Sequence, residues 1–290
     1  MKKVVIYVII CLLFLVGCGK QEQPTKKEGE RIIATTVALT ETAAKLNLDL
    51  VGVPNTEKIL PKKYAKVQAI GQAKQPDLEI VRSLQPTHLL SVTSIKPEME
   101  KALKGSGVSA TYYNYNSIQG MQKAITELGE QFHRKKEAEQ LNAVYDKQIA
   151  TIQKKIKQKK KPKVLILLGV PGSYLISTEK SFLGNLVELA GGENVIQATK
   201  SDEEFIASNT ETLYKMQPDV ILRASHGFPK QVKTMFDEEF KTNTVWRNFK
   251  ATQEGRVYDL DENLFGITAN VNADEALQTL YELLYEEKKS

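Results

Sequence analysis

The stretch KEAEQLNAVYDKQIATIQKKIKQKKK, residues 136–161, decides the fold of this 290-residue chain. It contains neither glycine nor proline, and its apolar residues recur at steps of three and four, which places them on one narrow stripe of a helix. The stripe consists of Ala138, Leu141, Tyr145, Ile149, Ile152 and Ile156. A helix of roughly 26 residues is about 39 Å long. We therefore predict a rigid linking helix over 135–161 that separates two facing lobes.

Strand-like and helix-like segments alternate on both sides of this helix. Before it, RIIATTV is a predicted strand that leads into the helical segment ALTETAAKLN; after it, KVLILLGV, SYLIST and DVILRAS are predicted strands. Such alternation predicts an α/β fold of two Rossmann-like lobes with parallel central sheets. The predicted boundaries are 32–134 for the N-terminal lobe and 162–290 for the C-terminal lobe.

A short repeat supports two similar lobes. Residues 79–92 read EIVRSLQPTHLLSV, and residues 211–224 read ETLYKMQPDVILRA. Each has a glutamate, then Gln-Pro six residues later, then an apolar strand. A pattern this short can arise by chance, but its occurrence on either side of the linking helix favours a duplicated lobe.

The N-terminus predicts export and lipid attachment. Lys2 and Lys3 precede the apolar residues 4–16, which are too few to span a membrane comfortably, and Leu-Val-Gly-Cys ends at Cys18. This resembles a bacterial lipoprotein signal, in which 1–17 is removed and Cys18 is lipidated; the alternative is a plain signal peptide with a chance cysteine. The polar residues 18–31 predict a flexible tether. We expect a protein anchored by lipid to the extracellular face of the bacterial cell membrane.

Composition excludes several kinds of site. Both cysteines, Cys11 and Cys18, lie in the signal region, so the folded part has neither a disulfide nor a thiolate metal site. The net charge is +5 at pH 7, with many lysines between 154 and 163. Such a run can bind nucleic acid or an anionic membrane, but it also suits the negative end of a helix dipole, and no aromatic residues alternate with it to stack on bases. We favour a solvated helix end and expect no nucleic-acid partner.

A ligand is expected between the lobes, because ligands bind beyond the carboxyl ends of the strands in open α/β sheets. The loops predicted to reach this cleft are Thr35–Val37, Asn55–Leu60, Gly71–Gln75, Ser94, Gly169–Tyr174 and Ser225–Phe228. Among the histidines, only His226 directly follows a predicted strand and precedes Gly227 and Pro229. A lone imidazole cannot form a tetrahedral metal cage, but it can be an axial ligand to a metal in a macrocycle. A loop histidine with a local hydrogen bond is the alternative.

The wall opposite His226 suits a flat molecule that carries carboxylates. The helix after Thr36 opens at Val37 and Ala38, whose free backbone N–H groups can bind an anion, and Lys58 adds positive charge. Aromatic residues near strand ends supply flat apolar surface; they are Tyr64, Tyr112, Tyr113, Tyr115, Tyr174 and Phe228. Ser173 and Tyr174 are also predicted to line the cleft.

Several long stretches carry a family resemblance: TTVALT at 35–40, QPTHLLSV at 85–92, KVLILLGVPGSYL at 163–175, AGGENVI at 190–196, PDVILR at 218–223 and FGITANV at 265–271. Through them the mature chain resembles the bacterial substrate-binding lipoproteins that deliver ferric siderophores, cobalamin or heme to ABC importers. Within that class it is similar to the heme-binding IsdE type. The resemblance implies a monomer that binds heme b as transported cargo, receives it from heme-donor surface proteins and delivers it to an ABC permease and ATPase.

The resemblance also implies roles for individual residues. His226 matches the axial ligand of heme iron, and Val37-Ala38 with Lys58 matches the region that receives the heme propionates. Glu79 and Glu211 match the two glutamates that dock on the permease. Lys74 departs from the pattern, because heme-binding members carry a methionine there as the opposite axial ligand, and a protonated lysine has no lone pair. Three alternatives stay open: iron bound by His226 alone, a deprotonated Lys74 as ligand, or Lys74 paired with a propionate.

Two rival functions have different requirements. The same architecture could carry a ferric siderophore or another metal chelate, with Lys58 and Lys74 holding an anionic ligand. An enzyme would need catalytic motifs, but the chain has no G-x-S-x-G elbow, no complete P-loop and no H-E-x-x-H. We therefore expect a binding protein and not an enzyme.

Overall fold

The computed structural model describes residues 29–198, 203–207 and 213–286. The predicted signal peptide 1–17, Cys18, most of the predicted tether and Glu211 lie outside these ranges. Within them, no helix combines the length and apolar character needed to cross a membrane. From Arg31 onward the chain clusters as a single unit, so the lobe boundaries predicted at 134 and 162 stay predictions.

The first central sheet is parallel throughout. It has five strands: β1 (Ile32–Ala34), β2 (Leu50–Val53), β3 (Gln68–Ala69), β6 (His88–Val92) and β7 (Thr111–Tyr113). The short strands β4 (Gly71–Gln72) and β5 (Gln75–Pro76) form a separate antiparallel hairpin. The spatial order is β3-β2-β1-β6-β7. The central strands β1 and β6 are buried almost throughout, as expected for parallel strands that are covered on both faces.

Helices accompany this sheet and lead to the second half. They are α1 (Val37–Lys45), α2 (Leu78–Ser83), α3 (Lys96–Leu103), α4 (Ile118–Gln131) and the linking helix α5 (Lys135–Ile156). Asp77 begins α2, and Ser117 begins α4; each side chain accepts a hydrogen bond from a backbone N–H in the first turn.

The second central sheet is mixed. Its strands are β8 (Lys163–Val170), β9 (Ser173–Ser177), β10 (Glu193–Asn194), β11 (Phe205–Ala207), β12 (Val220–Ser225) and β13 (Val257–Asp259), in the order β11-β9-β8-β12-β13 with β10 also beside β8. The predicted α/β class with two central sheets is confirmed, but β9 and β11 run antiparallel to their neighbours. The reason is the two-residue turn at Pro171-Gly172, where Gly172 has a φ of +85° that glycine adopts readily, so the chain folds straight back.

The remaining helices are α6 (Phe182–Leu189), α7 (Pro229–Thr242), α8 (Thr244–Arg247), α9 (Lys250–Gln253) and α10 (Ala273–Tyr285). The linking helix α5 packs against α4 and α10, and its predicted stripe is buried at Ala138, Tyr145 and Ile152. It ends at Ile156, five residues before the predicted end at 161. The residues between Ile156 and Pro162 carry several like charges, and a proline disfavours helical backbone just before it, so the helix is not extended.

A continuous apolar core joins the two halves. Ile33 and Leu90 of the first sheet belong to the same cluster as Val164 and Leu222 of the second. A separate aromatic cluster around Trp246 covers the other face of the second sheet. Because close-packed interiors transmit strain instead of yielding to it, we expect little hinge motion between the two halves.

Candidate functional site

A cleft opens where the central strands of both sheets end. α1 begins shortly after β1, and His226 directly follows β12. The strand order reverses between β1 and β6 in the first sheet and between β8 and β12 in the second, and ligands bind at such points in open α/β sheets. The cleft has a volume of about 370 Å³, which is in the usual range for small-molecule sites. Its lining residues are Val37, Ala38, Glu41, Thr56, Glu57 and Lys58 from the first half and Ser225–Pro229, Glu262, Asn263, Gly266–Thr268 and Asn270 from the second.

The cleft continues into a more open depression of about 500 Å³, which we name the cleft mouth. The mouth is lined by Glu57, Lys58, Ile59, Phe228, Pro229, Lys230, Gln231, Glu262 and Asn263. Cleft and mouth share Lys58 and Phe228, which stand on opposite halves of the chain. We call the cleft and its mouth together the slot; both parts are open to solvent.

His226 stands at the end of β12 with its backbone fixed. Its N–H donates to the carbonyl oxygen of Gly169 at 2.9 Å, which continues the pairing of β8 with β12. Among the described residues, none forms a hydrogen bond with the imidazole. Burial lowers the pKa of His226 below its ordinary 6.5, and the cations Lys74 and Lys58 lower it further, against a smaller opposing effect of Glu262. The imidazole is therefore neutral at neutral pH and has a nitrogen lone pair available for a metal.

The amino end of α1 faces the cleft. Thr36 begins the helix, and its hydroxyl accepts a hydrogen bond from the backbone N–H of Leu39 at 3.3 Å. Val37 and Ala38 follow and line the cleft, and no acidic residue lies in this first turn. The free N–H groups and the positive end of the helix dipole make this a suitable position for an anion. Thr36 itself starts the helix and is not a lining residue.

Lys58 crosses the cleft from the first half to the second. Its Nζ donates to the carbonyl oxygen of Glu262 at 2.9 Å, and its backbone N–H donates to the hydroxyl of Thr56 at 3.1 Å. An ammonium group has three donors, so Lys58 can keep its bond to Glu262 and still bind a carboxylate. The structure thus brings Val37, Ala38, Lys58 and His226 together in one cleft, and their roles toward a ligand stay predictions.

Lys74 lies in the hairpin between β4 and β5, and it does not line the cleft. Its Nζ is 3.3 Å from Oε1 of Glu98, and both side chains are exposed. The pKa of Glu98 is lowered by its own backbone N–H and by Lys74. The charge of Lys74 still reaches the cleft, because it contributes to lowering the pKa of His226. Lys74 is therefore a nearby cation and not a contact of the cleft.

The structure does not bring Ser173 and Tyr174 to the cleft, contrary to the prediction. Both lie in β9, and the ring of Tyr174 packs against Phe236 and Trp246 with centroid separations of 5.7 and 6.2 Å. The ring of Tyr174 belongs to the aromatic cluster on the other face of the second sheet, and neither residue lines the cleft.

Glu79 lies in the first turn of α2 and is exposed, as a docking residue must be. The described residues include no partner for its carboxylate. Glu211, its expected counterpart, is outside the described residues. The docking role of both glutamates therefore stays a prediction.

Several residues that line the cleft were not assigned from the sequence, and among them are Glu41, Glu262 and Asn270. Glu41 lies one helical turn beyond the opening of α1, so the rule that residues four apart share a helix face could have identified it. Burial raises the pKa of Glu41, while the cations Lys58 and Lys45 oppose this. Glu262 and Asn270 come from an irregular segment between β13 and α10, where no periodic pattern gives a signal.

The donors in the cleft suit a metal that arrives already bound in a chelate. Within the described ranges, no group of three or more His, Cys, Asp or Glu side chains could hold a bare ion. A single neutral imidazole, with its backbone fixed beside a slot, can fill one axial position of a macrocyclic iron complex. The positive end of α1 and Lys58 can bind acidic groups on the same ligand.

Sequence comparison identifies relatives over nearly the whole chain. The profile of the periplasmic binding protein family matches residues 32–264. The high-affinity heme uptake system protein IsdE of Staphylococcus aureus (strain bovine RF122 / ET3-1) is 50% identical over 284 residues, which cover 97% of each chain.

Solved structures agree with the sequence relatives. The crystal structure of S. aureus IsdE complexed with heme has a TM-score of 0.84 and 52% identity, covering 89% of this chain and 99% of that one. That of an ABC transporter substrate-binding protein from Listeria monocytogenes EGD-e has a TM-score of 0.83 and 49% identity, covering 89% and 100%. Proteins of this kind bind a substrate for uptake at the outside of the membrane, serve a permease and an ATPase, and are not enzymes. The chain belongs to the periplasmic binding protein family.

Proposed function

We propose that this protein binds heme in the cleft and delivers it to the permease of an ABC importer for iron acquisition. The observation that carries the proposal is the neutral imidazole of His226, which shares one slot with the amino end of α1 and with Lys58. Heme fits this arrangement, because its iron accepts an axial nitrogen and its propionates are anionic. The relative whose crystal structure was determined with heme supports the same ligand.

The propionates would bind at Val37 and Ala38. The free backbone N–H groups there need an acceptor, and a carboxylate accepts two or more such bonds without a positively charged side chain. Lys58 would bind the second carboxylate, or the outer oxygen of the first, through donors that its bond to Glu262 leaves free. Glu41 also lines the cleft, where burial raises the pKa of its carboxyl group and the nearby cation Lys58 opposes that shift.

The iron would receive one ligand from the protein. Lys74 forms an ion pair with Glu98, and a lysine in its charged form has no lone pair to donate to iron. We therefore favour iron bound through His226 alone over a deprotonated Lys74 as ligand. Lys74 would instead act through its charge, which helps to keep the imidazole of His226 neutral and able to bind the metal.

Delivery would use two carboxylates at equivalent positions of the sequence repeat. Glu79 lies on the first turn of α2, and the repeat places Glu211 at the matching position of the second half. Two acidic residues of this kind suit basic residues on a permease with two similar subunits. We propose further that the protein acts as a monomer, is anchored through a lipid on Cys18 and takes heme from donor proteins at the cell surface.

The ligand assignment is tested by titrating the purified protein with hemin and recording the absorption spectrum, with a ferric siderophore titrated in parallel. Wild type should give a saturable Soret band with the position expected for an imidazole-bound iron, and His226→Ala should shift and weaken it. A His226→Ala spectrum identical to that of wild type would refute the assignment. Binding of the siderophore but not of hemin would favour a ferric chelate as the ligand.

The docking assignment is tested separately by reversing both charges. Uptake of heme by cells should be abolished in the double variant Glu79→Lys, Glu211→Lys, while its hemin affinity in solution stays at the wild-type value. Loss of hemin binding in this variant would contradict the separation between the ligand site and the docking residues.

A further inference from the structure

Two exposed apolar side chains face the cleft mouth from opposite halves of the chain. Ile59 is 95% exposed and Phe228 is 60% exposed, the highest values among the large apolar residues of the described chain. Both line the mouth. A single exposed apolar side chain is common on protein surfaces, but two of them on facing walls of one ligand cleft form a pair that a flat apolar ligand could cover.

The backbone of Phe228 is held in an unfavourable conformation. Its φ is +49°, in the left-handed region that residues with a side chain rarely adopt, and it directly precedes Pro229, which further restricts it. Strain of this kind persists only where the surrounding structure enforces it, and it is concentrated at functional sites. Here the backbone N–H of His226 donates to Gly169, and the carbonyl oxygen of Phe228 accepts from the backbone N–H of Val232 in α7, so the chain is held on both sides.

The loop that carries Ile59 is also held in place. Lys58, its neighbour, bonds to Glu262 across the cleft, and its backbone N–H bonds to Thr56. The loop that carries Ile59 is thus tied to the second half through Lys58, while the side chain of Ile59 itself stays in solvent.

We infer that Ile59 and Phe228 are specificity-determining residues, which contact the apolar periphery of a porphyrin from opposite walls of the cleft mouth. This inference rests on the proposed function, because it names what lies between the two side chains. His226, Val37 and Ala38 bind groups that a polar iron chelate could also offer, namely a metal and an anion. Ile59 and Phe228 strengthen the binding only of a ligand with an apolar outer surface, so they distinguish porphyrins from hydrophilic siderophores.

The test compares polar replacements at the mouth with a matched control elsewhere. Phe228→Asn keeps a residue that tolerates the left-handed conformation, and Ile59→Asn leaves the loop bonds of Lys58 in place. Val144→Asn is the control, because Val144 is a 45% exposed apolar residue on α5 and lines neither the cleft nor its mouth. Hemin dissociation constants are measured by absorption titration, and the thermal unfolding temperature of each variant is recorded.

Phe228→Asn and Ile59→Asn should each raise the hemin dissociation constant about tenfold, and the double variant should raise it further. The position of the Soret band should stay at the wild-type value in these variants, because His226 is unchanged. Phe228→Tyr, which keeps an aromatic ring, should bind hemin with the wild-type affinity. Unchanged hemin affinity in folded Phe228→Asn and Ile59→Asn, or an equal loss in Val144→Asn, would overturn the inference. If wild type instead shows no His226-dependent Soret band, the proposed function fails, and the two failures are thereby distinguished.

Discussion

Arg223→Met should lower the free energy of unfolding by about 2–3 kcal/mol, because it removes a buried cation that joins three elements. Arg223 lies in β12 and is 8% exposed. It donates to both carboxylate oxygens of Asp259 in β13 at 2.7 and 2.8 Å, and to Asp237 in α7 at 2.8 Å. Removing one partner of a fully buried ion pair costs about 3–5 kcal/mol. Asp237 and Asp259 reach solvent, so we expect the smaller loss of about 2–3 kcal/mol for Arg223→Met.

Lys233→Met is the matched control, because Lys233 binds the same two carboxylates from the surface. Its Nζ lies 2.6 Å from Asp259 and 3.1 Å from Asp237, yet its side chain is 56% exposed. An exposed ion pair contributes about 0–1 kcal/mol, so this variant should be close to wild type. Urea unfolding at pH 7, followed by circular dichroism, measures both. Equal losses in the two variants would refute the argument that burial of Arg223 sets the cost.

The same network predicts a dependence on acid. Burial alone would raise the pKa of Asp259, but hydrogen bonds from Arg223 and Lys233 lower it below its ordinary 3.8, and Asp237 behaves likewise. A carboxylate whose pKa is lower in the folded state stabilises the protein above pH 3.8 and loses that contribution as the pH falls through the folded value. The stability difference between wild type and Arg223→Met should therefore shrink below pH 3.8. A difference that stays constant as the pH is lowered below 3.8 would contradict this.

Three further variants probe the site. Gly169→Ala would place a Cβ against Val232 and 2.7 Å from Cε2 of Phe236, so α7 must move. We expect the free energy of unfolding in urea to fall by about 1–3 kcal/mol and hemin binding to weaken. Wild-type values for both would contradict this. Because Lys74 does not line the cleft, Lys74→Met should leave the iron coordination seen in the hemin spectrum unchanged, and conversion to a six-coordinate, low-spin spectrum would contradict this. Lys58→Met removes a cation that lowers the pKa of His226, so protonation should displace hemin at a higher pH than in wild type, and an unchanged midpoint in a pH titration would count against that role.

Most of the fold could be predicted because its signals are local. The stripe of α5 is visible in a single window of sequence, and its buried positions include Ala138, Tyr145 and Ile152 as expected. The direction of β9 was not foreseen, because a strand pattern gives no direction and the decisive turn is only two residues long. The end of α5 was placed too late, because the prediction continued the helix up to Pro162 although Ile156 is the last apolar residue of its stripe.

The candidate site could be predicted only in part. His226 and the opening of α1 follow strands directly, so their positions at the carboxyl ends of the strands follow from the order of elements alone. Glu262 reaches the cleft through the packing of an irregular segment that is far from Lys58 in sequence. Tyr174 shows the opposite error, since its place after a strand suggested the cleft while the hairpin directs it into an aromatic cluster.

The core shared by the two halves has a consequence for the importer. If loading barely alters the outer contour of the protein, the permease meets nearly identical partners whether or not they carry cargo. Empty copies would then bind the permease as readily as loaded ones, and a large excess of empty protein at the membrane would slow transport. Adding an excess of apo-protein to reconstituted importers should slow heme import. An unchanged import rate would mean that the permease distinguishes loaded from empty protein through a movement of the two halves.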